Sequence, residues 1–127
     1  RQDDGALLLA VADGMGGAPG GDQASALAVA AFAATETGDA LLPHDLPRLA
    51  MAGHKAILDR AASDSGMKGM GTTLTAALVR KAELSWVHIG DSRLYTFASD
   101  SQIHAQQTLT PGRGHIRCKD RDAPVLL

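Results

Sequence analysis

Aromatic side chains are scarce in this sequence of 127 residues, which has one Trp, one Tyr and two Phe. Without large rings, a core must be filled by Ala, Leu, Val and Ile, and such small side chains draw secondary-structure elements close together. The hydrophobic share of 45% is enough for one real core, and the length is too short for two. Cysteine is almost missing as well: Cys118 stands alone, so no disulfide forms within the chain, which fits a reducing compartment. His115 and Cys118 are spaced like half a zinc site, but the sequence offers no second half, and a solvated tail is the simpler reading. No Lys/Arg cluster precedes the C-terminal tail and the formal net charge is -2, which argues against nucleic acid as the main partner. No apolar run reaches the length of a membrane span, and the first residues make no basic-then-apolar secretion signal. The chain therefore reads as soluble and cytoplasmic. An initiator Met is also lacking: the sequence starts at Arg1, a few residues before its first apolar run, and is expected to be part of a longer protein.

What the sequence does have is concentrated in residues 6–25. Residues 6–12 are an apolar run with no polar member, which suits a strand buried on both faces. It stops at Asp13. Gly14, Met15, Gly16 and Gly17 follow, then Pro19, Gly20 and Gly21, before Asp22 opens an alanine-rich helical segment. A carboxylate at the end of such a strand is held by the ladder behind it and faces an open loop. Glycines beside it leave main-chain carbonyls and amides free to approach a ligand. Phosphate-cradling loops are excluded, because Pro19 occupies the third glycine position counted from Gly14 and no lysine occurs before Lys55. The remaining chemistry is a hard divalent cation, with Asp13 as an oxygen ligand and a loop carbonyl as a second.

Three blocks of residues resemble the metal-dependent protein phosphatase 2C family in its bacterial form. They are Val11-Ala12-Asp13-Gly14-Met15-Gly16-Gly17, the Gly71-Thr72-Thr73-Leu74 segment, and Gly90-Asp91-Ser92-Arg93 with its flanks. Their order and separations fit, and the resemblance covers roughly residues 6–110. It implies a partial α-β-β-α sandwich with antiparallel central sheets, flanked by helix pairs. It also implies two Mg²⁺ or Mn²⁺ ions, with Asp13 as bridging ligand and Gly14 offering its carbonyl, and a phosphoserine or phosphothreonine protein as substrate. The implied reaction is hydrolysis by a metal-activated water, without a covalent enzyme intermediate. Residues 1–110 are thus expected to form a partial phosphatase-like domain. The family's Arg and acidic pair on a preceding strand match poorly at Arg1, Asp3 and Asp4, which read better as a hairpin turn. The alternative function is a phosphatase-like fold without catalysis, acting as a binding or regulatory module.

The rest of the chain supports this layout. Asp22 is a good N-cap for a helix that puts Ala24, Leu27, Ala28, Ala31 and Phe32 on one face. A second helix is expected from Asp45, with Pro47 tolerated in its first turn. His44 and His54 have no partner at ligand spacing and read as surface residues. Strands are expected over 72–79, 84–89, 93–98 and 102–109, joined as an antiparallel meander in which residues 90–92 turn the chain back. Leu84, Trp86 and His88 share one face of the second of these, and Ser85, Val87 and Ile89 the other. Asp91 reads as a turn residue with Arg93 as salt partner. Residues 111–127 lack apolar periodicity and are expected to be a divergent, irregular tail.

Overall fold

Alternation of apolar side chains over two long strands sets the architecture. The computed structural model of the chain describes residues 5–15, 20–34, 41–80, 83–97, 103–106, 112–117 and 125–126. In chain order these form strands β1 (Leu7–Val11) and β2 (Gly14–Met15), helices α1 (Gly20–Ala33) and α2 (Asp45–Ser63), and a 3-10 turn at Ser65–Met67. Strands β3 (Gly71–Thr72), β4 (Leu74–Arg80), β5 (Glu83–Ile89), β6 (Leu94–Phe97), β7 (Ile103–Gln106), β8 (Gly112–Arg117) and β9 (Val125–Leu126) follow. They assemble into a four-stranded antiparallel sheet ordered β1-β4-β5-β8, a small β2-β3 pair, and a three-stranded sheet ordered β7-β6-β9. Mixed helix and antiparallel sheet is the expected class.

Strands β4 and β5 of the four-stranded sheet contribute apolar residues to a cluster on each side, and β1 adds to one of them. One side, with Leu8 and Ala10 of β1, Leu74, Ala76 and Leu78 of β4, and Val87 and Ile89 of β5, lies under the two helices. The helices contribute Ala24, Ala28 and Phe32 from α1 and Leu46, Leu49 and Ile57 from α2. Close approach of α1 to α2 is made possible by Gly53, where a Cβ would lie 3.2 Å from the Ala28 Cα. The other side gathers Ala77, Leu84 and Trp86 with Leu94 of β6, and Val79 packs against them. Small residues thus bring the elements together, as the shortage of aromatics requires.

Several elements differ from the sequence-based expectation. β1 is half-buried rather than enclosed on both faces: among the described residues it has β4 as its one sheet neighbour, and Val11 at its end is 44% exposed. α1 begins two residues early, at Gly20, so Asp22 sits in its first turn instead of capping it. Its carboxylate still faces the positive end of the helix dipole. The expected strand over 72–79 is divided into β3 and β4 at Thr73. The meander also breaks. β4 and β5 form a hairpin, but residues 90–92 carry the chain out of that sheet, and β6 pairs with β7 and β9 instead of returning along β5. Gly90, at φ +103°, makes this exit possible. Gly112–Arg117, expected to be irregular, is a strand paired with β5. Backbone pairing along an open edge needs no apolar periodicity, which explains why the sequence pattern missed it.

α2 starts as expected at Asp45, whose carboxylate accepts from the Leu42 N–H at 2.8 Å and from Arg48 Nη2 at 3.0 Å. The Leu42 N–H, then Arg48, with His44 nearby, hold the Asp45 carboxyl below its usual 3.8. A group with a lowered folded-state value stabilises fully above its unfolded value. That contribution is lost as the pH falls below about 4 and through the lowered value. Asp45→Ala should therefore lose about 1 kcal/mol at pH 7 and progressively less in acid. Urea melts at pH 7 and pH 3 measure this; an equal deficit at both would remove Asp45 as the source.

Candidate metal centre

The end of β1 and the start of β4 belong to one ribbon. Val11 faces Thr75 in the β1-β4 pair, while Gly14 faces Thr72 and Met15 faces Gly71 in the β2-β3 pair. Continuing the same register through the gap sets Asp13 opposite Thr73. Facing residues at such a position normally exchange two backbone hydrogen bonds. Here the Thr73 N–H donates to the Asp13 carbonyl at 2.9 Å, completing one half. The other half is replaced: the Asp13 N–H donates to Thr73 Oγ1 at 3.1 Å, and the Thr73 carbonyl accepts the Thr72 hydroxyl at 2.8 Å. Thr73 Oγ1 also lies 2.9 Å from Ser92 Oγ, at the chain's exit from the four-stranded sheet. All three sequence blocks meet at this point.

The glycine loop is held from the other side by α1. Gly14 lies against Gly21 in the first turn of that helix so closely that a Cβ on Gly14 would sit 1.9 Å from the Gly21 carbonyl oxygen. Gly20 and Gly21 are buried there, with Gly20 against Met70. Two glycines facing each other let a helix start abut an extended backbone. Gly16 and Gly17 lie outside the described residues.

Asp13 and Gly14 are both exposed at the tip of this support. Among the described residues the Asp13 carboxylate has no hydrogen bond or ion pair, so its oxygens are available to a ligand. A carboxylate beside a backbone carbonyl is a hard oxygen donor set, the chemistry that suits Mg²⁺ or Mn²⁺. The donors present fit part of such a site. The described residues contain no group of three or more His, Cys, Asp or Glu able to hold an ion by themselves. Asp3, Asp4 and Cys118 fall outside the described residues, and β8 sets His115 opposite Ser85 in register. His44 and His54 are exposed on or beside α2, as expected. Asp91 is exposed on its turn, and its expected partnership with Arg93 is not formed: Arg93 Nη1 donates to the Tyr95 hydroxyl at 3.3 Å.

From the sequence, the Thr72 and Thr73 hydroxyls could face the site or belong to strand residues without a function, and the structure gives them the central bonds of the candidate site. The Gly-Thr-Thr block was the available signal. A buried polar pair lies nearby between β4 and β5, where Thr75 Oγ1 and His88 Nδ1 are 2.7 Å apart. His88 is 1% exposed and its Nε2 has no partner among the described residues.

Comparison with known proteins gives consistent results. A sequence model described as protein phosphatase 2C matches residues 1–116. The serine/threonine protein phosphatase PstP of Mycobacterium tuberculosis is 48% identical over 94 residues, covering 72% of this chain and 18% of that protein. The serine/threonine phosphatase stp of Listeria innocua is 36% identical over 99 residues, covering 73% of this chain and 39% of its own length. Among solved structures, the catalytic domain of PstP in complex with two manganese ions superposes with a TM-score of 0.69 at 43% identity, covering 79% of this chain and 44% of that one. The chain thus spans less than half the length of these relatives.

Proposed function

The chain belongs to the protein phosphatase 2C family, and from that membership we propose that it is part of a metal-dependent phosphatase that hydrolyses phosphoserine or phosphothreonine in proteins. The observation that carries this reading is the convergence of the three sequence blocks on Asp13, which leaves its carboxylate exposed and its backbone tied to Thr73. Asp13 and the Gly14 carbonyl would contribute to a site for two Mg²⁺ or Mn²⁺ ions. Bound there, such ions would supply an activated water and charge to balance phosphoryl oxygens. The protein's own part is positional. β1 and β4 fix the height of the carboxylate, and the first turn of α1, seated against Gly14, fixes the residue that would offer the carbonyl. The described residues hold no group of three or more His, Cys, Asp or Glu side chains placed to hold an ion, so the further carboxylates that two dications need would have to come from elsewhere in the protein.

A phosphorylated protein is the partner this reading requires; nucleic acid and membranes play no part in it. Cytoplasmic location belongs to the same proposal and is supported by the single cysteine. Among the described residues, no helix is long and apolar enough to cross a membrane. The test is release of inorganic phosphate from a phosphothreonine peptide with manganese, with magnesium, and after chelation. Release that needs the metal is expected. Metal-independent release would reject the metal-dependent mechanism, and no release with either ion from a polypeptide that includes the remainder of the domain would leave a binding or regulatory module.

A further inference from the structure

We infer that Thr72 and Thr73 replace one half of the ladder rung at Asp13, where the ribbon passes from the β1-β4 pair into the β2-β3 pair, so that the altered rung leaves no backbone group unpaired, and that Thr73 is the positioning residue for the Asp13 carboxylate. The metal part of this inference rests on the function proposed above; the backbone part does not.

A rung that opens inside a continuous ribbon releases one N–H and one carbonyl, here those of Asp13 and Thr73. Each needs a new partner wherever water does not reach it. Two adjacent hydroxyls solve this locally, one accepting from Asp13 N–H and the other donating to the Thr73 carbonyl. Thr73 is 2% exposed, so solvent is a poor substitute for either bond. A valine at position 73 would fill the same space but accept nothing.

The Thr73 side chain is fixed on several sides. Its oxygen receives Asp13 N–H and meets Ser92 Oγ at 2.9 Å. Its methyl lies against Gly90, where any Cβ would come within 2.8 Å of Thr73 Cγ2. One rotamer therefore governs the peptide plane entering Asp13, and through it the direction of the carboxylate. This accounts physically for two hydroxyls in the Gly-Thr-Thr block and for a hydroxyl and a glycine in the Gly-Asp-Ser block. A Gly, two Thr and a Ser form one clamp on the residue that would hold the ion.

The test uses Thr73→Val, Thr73→Ser and Thr72→Val, each read two ways. Hydrogen exchange of the Asp13 amide is followed without metal, with the Ala76 amide in the unbroken ladder as reference. Manganese affinity is measured by calorimetry. In Thr73→Val the Asp13 amide should exchange faster relative to Ala76, and manganese should bind at least about tenfold more weakly, the loss typical when a supporting partner of a metal ligand is removed. Thr73→Ser should restore both. Thr72→Val, at a half-buried position that tolerates the change, should free the Thr73 carbonyl to reclaim the Asp13 N–H and also weaken manganese binding. Unchanged amide exchange in Thr73→Val would overturn the clamp. Faster exchange with unchanged affinity would overturn its positioning role. If the unaltered protein binds no manganese, the metal reading fails, while the amide comparison still decides whether the hydroxyls replace the rung.

Discussion

Asp13→Ala is expected to lower manganese-dependent phosphate release by on the order of 10²–10³-fold, comparable to removal of one strong electrostatic contact from an active site. Stability should stay within about 0.5 kcal/mol of the unaltered protein, as for other surface substitutions. The two halves of this expectation come from separate observations. Backbone atoms of Asp13 make its structural bonds, and those survive in alanine. The carboxylate is exposed and has no partner among the described residues, so folding gains nothing from it. A charged group without a structural role, held on a rigid support, is what a binding site requires. Asp13→Asn should behave similarly for activity, because it keeps shape and one oxygen but loses the charge that balances a dication. Equal release by Asp13→Ala and the unaltered protein would dismiss position 13 as a metal ligand.

Gly14→Ala should damage folding and function together. Its Cβ would fall 1.9 Å from the Gly21 oxygen and 2.4 Å from the Gly21 carbonyl carbon. Both are backbone atoms of a helix, which cannot rotate aside as a long side chain would. Either the loop or the first turn of α1 must move, at about 3 kcal/mol, near the upper end of overpacking penalties. For a chain of this size that corresponds to a fall in Tm on the order of 10 °C. On the proposed function manganese binding should weaken as well, since the displaced residue would supply the second oxygen. Gly21→Ala is the informative control: its nearest contacts begin at 3.0 Å, to the Gly14 carbonyl carbon, so a smaller shift suffices. The expected order of stability is unaltered, then Gly21→Ala, then Gly14→Ala, from denaturant melts. A Gly14→Ala protein within about 1 kcal/mol of the original would show that the loop is not seated on the helix.

Periodicity made the central elements legible. Ala24, Ala28 and Phe32, and Leu46, Leu49 and Ile57, announce helix faces, and the alternation in residues 84–89 correctly separated Val87 and Ile89, toward the helices, from Leu84 and Trp86, on the far side. Enclosure was harder to read. The run 6–12 looks the same whether one or two neighbours flank it, so its half-buried state depended on the sheet order. Gly90-Asp91-Ser92 has the composition of a hairpin turn, and composition does not say which sheet the next strand joins. β8 escaped notice because its pairing is carried by main-chain groups. At the candidate site, Asp13 and Gly14 stood out as charge beside glycine. The hydroxyls that support them did not, since threonine is common in strands for reasons of shape alone.

Facing residues of the ribbon keep one register from Leu7 and Val79 to Met15 and Gly71, even where the rung is altered. Adding or deleting a single codon between positions 7 and 13 would move the acid away from threonine 73 and turn every following side chain to the opposite surface. Substitutions that preserve the count leave the ruler intact. Over evolutionary time residues 7–12 can exchange one apolar side chain for another but are constrained in length, and descendants of the gene should show that asymmetry.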